Sequence, residues 1–84
     1  MARHEKLLEK LLAGRSDANV AFGDLCGLLR QLGFDERTRG SHHIFTRAGI
    51  EERITLQEDQ SKAKVYQVRQ VRAIILKYQL GREE

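Results

Sequence analysis

The hydrophobic period changes twice along this 84-residue chain, and that change limits what it can fold into. Leu25, Leu28, Leu29 and Leu32 recur at i, i+3, i+4 and i+7, one face of a helix. From residue 34 to 57 the helical spacing is lost. Ile54 and Leu56 alternate there with Arg53, Thr55 and Gln57, and Ile44, Phe45 and Thr46 are β-compatible. From Val65 the helical spacing returns through Val68, Val71, Ile75 and Tyr78, with Ile74 widening the stripe. An earlier stripe, Leu7, Leu8, Leu11 and Leu12, predicts a helix over residues 3–13, with Gly14 just past its end. The expected order is therefore α-α-β-β-β-α. The predicted helices are 3–13, 22–32 and 64–78, and the predicted strands are 34–39, 43–47 and 52–57. A three-stranded antiparallel sheet with helices on one face is the α+β solution that buries these stripes. Residues 15–19 read as a linker, Ala48-Gly49 as a turn and residues 58–62 as a polar loop.

A chain of this size makes one small core. Its 40% hydrophobic and 32% charged residues describe an ordinary globular domain. No apolar run approaches the roughly 20 residues of a membrane span. The N-terminal stretch has charges within it, unlike a signal peptide's apolar segment. The single cysteine, Cys26, cannot form an internal disulfide and reads as a small buried residue. A cytoplasmic, membrane-free protein is the expectation.

Charge is unevenly divided. Residues 1–36 carry five Lys/Arg against six Asp/Glu, and residues 37–84 carry ten against six. The basic half favours an anionic partner, foremost a nucleic acid. That half contains Gly40-Ser41-His42-His43-Ile44-Phe45-Thr46, flanked by Arg37, Arg39 and Arg47. Imidazole accepts and returns a proton near neutral pH. RNA carries its own nucleophile in the 2′-hydroxyl, so one base plus cations at the phosphate can suffice for cleavage. His43 is the candidate base, and no acid partner for it is legible.

Successive strand side chains point to opposite faces, so His42 and His43 are poorly placed to share a metal. The chain shows no zinc-type ligand spacing, and neither metal nor cofactor is expected. The same alternation puts His43 and Phe45 on one face. If His43 faces solvent, either a bulge starts the strand, or Phe45 belongs to a binding surface or partner interface. Gly40-Ser41 can turn backbone N–H groups toward an anion. Ser61, Lys62 and Lys64, at the entrance to the last helix, offer a hydroxyl, two ammonium groups and free N–H groups to a phosphate.

The segment Arg39-Gly40-Ser41-His42-His43-Ile44-Phe45 resembles the Gly-Ser-X-His core of the HicA toxins of bacterial toxin–antitoxin modules. The preceding 28–34 segment, the Arg53-Ile54-Thr55-Leu56 strand and the 71–76 helix segment extend the resemblance over roughly residues 20–80. It implies a fold similar to double-stranded-RNA-binding domains and a division into an N-terminal helix and linker, 1–19, and a HicA-like domain, 20–84. It also implies ribosome-independent endoribonuclease cleavage of single-stranded or structured mRNA, neutralised by a HicB-type antitoxin. His43 would be the catalytic histidine, with Arg37, Arg39, Gly40, Ser41, Ser61, Lys62 and Lys64 at the RNA. Two other readings of the same residues stay open: a non-catalytic RNA-binding module and a protein-interaction domain.

Overall fold

A computed structural model describes residues 2–14, 17–58 and 60–81, with side chains from residue 5 onward. Its elements are α1 (Ala2–Ala13), a short 3-10 turn (Asp17–Asn19), α2 (Phe22–Gln31), β1 (Asp35–Arg39), β2 (His42–Arg47), β3 (Ile50–Gln57) and α3 (Val65–Tyr78). The predicted α-α-β-β-β-α order is the observed one. The strands form one antiparallel sheet in the order β1-β2-β3.

Side-chain alternation decides which sheet face is covered. Phe45, Ile54 and Leu56 are fully buried on the helix side, where Val68, Val71, Ile74 and Ile75 of α3 and Leu25, Leu28 and Leu29 of α2 complete the core. Each such side chain contributes about 1.5–3 kcal/mol of burial. Among the described residues no helix covers the opposite face of the sheet, which carries Arg37, Arg39, Thr46, Arg53 and Thr55, all exposed.

Turn chemistry sets the register. Arg39 pairs with His42, leaving Gly40-Ser41 as a two-residue hairpin loop. Gly40 has φ +58°, a conformation a tight hairpin requires and a side chain disfavours. The second hairpin is irregular: the pairing shifts between Phe45 and Arg47, well past the strand entrance.

The segments before α2 and α3 are joined side by side. Phe22 N–H donates to Ser61 O at 2.9 Å, Ala63 N–H donates to Val20 O at 2.9 Å, and Ala21 bridges Lys62. Gln67 is buried in the first turn of α3, and its Oε1 accepts from Lys64 N–H at 3.2 Å. At the other end of α3, Gln79 takes the left-handed C-terminal position (φ +55°), which turns Leu80 into the core.

Helix α1 packs on α2 and α3, with Leu11 buried and Leu7, Leu8 and Leu12 against the core. The predicted linker is only partly within the described residues, 15 and 16 lying outside them. Its remainder is structured. Asp17 accepts two hydrogen bonds from Arg72, Nη1 to Oδ1 at 2.8 Å and Nη2 to Oδ2 at 3.1 Å. Arg72 Nη1 also donates to Leu11 O at 3.1 Å, so one guanidinium ties α3 to the end of α1 and to the turn that follows.

Candidate active site

His43 enters the site from the start of β2. Because it lies two residues before Phe45, its ring points to the helix-covered side of the sheet, at the margin of the core. Neither alternative for the His43–Phe45 pair holds: the strand starts without a bulge, and Phe45 is buried rather than part of a surface. The imidazole is held against the edge of the Phe22 ring, with centroids 5.1 Å apart and planes at 72°. Phe22 opens α2, so a helix start and a strand start meet at this histidine.

The partner that sequence reading missed is Glu36. In the β1–β2 register, Thr38 lies opposite His43 and Glu36 stands diagonally beyond it on the same face. Glu36 Oε2 is 2.7 Å from His43 Nδ1, and Arg30 Nε donates to Glu36 Oε1 at 2.8 Å. The hydrogen bond from His43, then that from Arg30, holds the Glu36 carboxyl below the usual carboxylate range against the opposing effect of burial. An ionised Glu36 can only accept, so Nδ1 carries the proton. In the neutral imidazole this leaves Nε2 as the basic nitrogen. The side chains are 26% exposed for His43 and 17% for Glu36, enough for reach from solvent while most of the pair stays shielded. The missing signal was available in principle: a two-residue Gly-Ser hairpin places Glu36 on the face of His43.

Cys26, one turn into α2, is buried beside this pair. Burial first, then the negative charge of Glu36, pushes its thiol up to about 11, so it is not a nucleophile at neutral pH. The linear spacing contains no metal-ligand set, yet folding brings Cys26, Glu36 and His43 together, with one ligand atom from each within 4.8 Å of the others.

The remaining sequence-predicted residues divide into two groups. Ser61, Lys62 and Lys64 lie on the strip bonded to the start of α2, adjoining Phe22 and through it His43. Gln60 and Ser61 both have positive φ (55° and 69°), which bends the chain tightly there. Gly40 and Ser41 form the hairpin tip, and Gln57 Nε2 donates to Ser41 Oγ at 3.4 Å. Arg37 and Arg39 are not brought to His43. Their register partners are Ile44 and His42, so they project from the opposite face. With Ile44, Thr46 and Arg53 they border a shallow depression of ≈ 610 Å³. His42 is exposed on that same face, apart from His43.

No helix among the described residues is long and apolar enough to cross a membrane. No curated protein and no solved structure matches the chain. A family model described as HicA toxin of bacterial toxin–antitoxin matches residues 22–79, from the first residue of α2 to the residue after α3.

Proposed function

The chain belongs to the HicA toxin family, the toxins of bacterial toxin–antitoxin modules, and we propose that it is an endoribonuclease that cleaves mRNA independently of the ribosome, with His43 as its catalytic residue. The Glu36–His43 hydrogen bond carries this reading, because it commits Nδ1 to the carboxylate and leaves Nε2 to act as base.

The chemistry follows from that tautomer. His43 Nε2 removes the proton of a ribose 2′-hydroxyl, and O2′ attacks the adjacent phosphorus. The O2′–P bond forms as the P–O5′ bond breaks, and the imidazolium returns its proton to O5′. The products are a 2′,3′-cyclic phosphate and a 5′-hydroxyl. Glu36 stabilises the imidazolium between the two proton transfers, as an orienting carboxylate does for other catalytic histidines. Arg30 keeps the carboxylate in place from its other oxygen. This scheme uses no cofactor.

Lys62, Lys64 and the Ser61 hydroxyl hold the phosphates next to the scissile one, and Gly40-Ser41 borders the path of the strand. Arg37 and Arg39 act from the far face of the sheet by drawing the polyanion toward the domain. The partner that silences the enzyme is a HicB-type antitoxin, and the site of action is the cytoplasm.

The test is growth and total mRNA after inducing wild type or His43→Ala in a host without antitoxin. Growth arrest and mRNA loss with the wild type alone are expected. Equal effects from two equally expressed proteins would sink the catalytic role of His43 and favour RNA binding without cleavage.

A further inference from the structure

We propose that Cys26, Glu36 and His43 form a binding site for a zinc-like divalent cation, and that occupancy switches His43 off. The switch rests on the catalytic role of His43, whereas the metal site does not.

The geometry is that of three protein ligands around one point. Four-coordinate zinc takes sulfur at about 2.3 Å and imidazole nitrogen or carboxylate oxygen at about 2.0–2.2 Å, which spaces its ligand atoms by roughly 3.3–3.6 Å. The three atoms here already lie within 4.8 Å of one another. The Glu36 Oε2–His43 Nδ1 separation of 2.7 Å has to open by about 0.6 Å, as expected when an ion replaces the shared proton. Glu36 Oε1 stays with Arg30, which orients the carboxylate from outside the site. The partial exposure of His43 and Glu36 leaves the pair open to solvent, from which the ion and a water as fourth ligand would come.

The donor set selects the ion. One thiolate, one imidazole and one carboxylate suit zinc, whereas magnesium and calcium prefer all-oxygen sets. Charge also balances, because a thiolate and a carboxylate neutralise a dication in a half-buried setting. On binding, Cys26 Sγ releases its proton to solvent, and the imidazole's single ring proton moves from Nδ1 to Nε2 by exchange with water. With Nδ1 on the metal, the imidazole stays neutral and Nε2 holds that proton. The nitrogen that serves as base in the apo site is then protonated, and Glu36 no longer stabilises an imidazolium.

Cobalt(II) reads this site directly. Cys26 is the sole cysteine of the chain, so a near-ultraviolet thiolate-to-cobalt band reports this position alone. Chelator-treated full-length protein titrated with Co2+ is expected to show that band with visible d–d bands, saturating at one equivalent and displaced by Zn2+. Cys26→Ser abolishes the near-ultraviolet band, Glu36→Gln and His43→Gln each weaken binding by at least about tenfold, and His42→Gln leaves it unchanged. No band in the wild type, or a band insensitive to both Glu36→Gln and His43→Gln, overturns the site. These two variants keep the test decisive if Cys26→Ser fails to fold.

RNA cleavage supplies the second readout. Activity is expected in chelator, abolished by one equivalent of Zn2+, and zinc-resistant in Cys26→Ser or Cys26→Ala. Cobalt bands without any cleavage would overturn the ribonuclease reading and leave the metal site standing. Cleavage indifferent to bound zinc would overturn the switch.

Discussion

Glu36 and His43 sit two positions out of register across the first hairpin, and that diagonal offset brings Oε2 to 2.7 Å from Nδ1. A directly opposed pair would have set His43 against Thr38, whose hydroxyl cannot hold an imidazolium as a carboxylate does.

Glu36→Gln tests that relationship. An amide can present its N–H₂ to Nδ1, which draws the proton to Nε2 and removes the base. The cleavage rate constant is expected to fall by about tenfold or more, within the roughly 10²–10⁴-fold that general base catalysis supplies. Single-turnover kinetics with an unstructured RNA, beside a thermal melt to verify folding, make the check. An unchanged rate in a folded variant removes Glu36 from the mechanism.

The two basic groups are expected to behave differently. Lys62→Ala/Lys64→Ala lowers cleavage and makes the slope of log K against log salt shallower by about 0.7 for each single-strand phosphate the variant no longer neutralises. Arg37→Ala/Arg39→Ala, on the far face, weakens association and leaves the single-turnover rate at saturating RNA unchanged. Salt-dependent binding isotherms separate the two. A drop in that saturated rate for the arginine variant would place those side chains at the scissile phosphate.

Helix α1 is part of the cooperative unit because Leu11 is buried in the core and its carbonyl is bonded to Arg72. Leu11→Ala is therefore expected to cost about 2–5 kcal/mol, lowering Tm by roughly 10 °C or more in one transition. An unshifted Tm would mean that α1 contributes nothing to the folded unit.

Acid stability has a defined direction. Lys77 first, then Tyr78, holds Glu52 down to about 2 from its ordinary 4.5, through hydrogen bonds of 2.7 Å each. The folded value lies below the unfolded one, so the unfolded chain binds more protons between them. The stabilisation is present above about 4.5 and drains away as pH falls toward 2. Urea midpoints measured across that window should fall more steeply for wild type than for Glu52→Gln. Parallel curves would show that the Glu52 hydrogen bonds are not made in solution.

Much of the fold is legible in the sequence because periodicity reports burial directly. The leucines of α2, the valines of α3 and the Ile54–Leu56 alternation each fall where their spacing puts them. The linker is not legible in the same way, because residues such as Asp17 look like generic turn formers until Arg72, 55 positions later, arrives beside them. For the site, His43 can be named from local chemistry, since a Gly-Ser turn before a histidine is a short-range feature. Arg37 and Arg39 group with it by closeness along the chain, although in a strand they belong to the face of His42 and Ile44.

The order of the elements, the buried stripes and the candidate histidine can be read from the chain alone, all being properties of neighbours within a few residues. Which sheet face the helices cover, and with it that His43 looks inward toward Phe22, depends on tertiary packing. It alone supplied Glu36, Arg30 and Cys26 as its surroundings, because hairpin register and helix packing join residues that no local pattern connects.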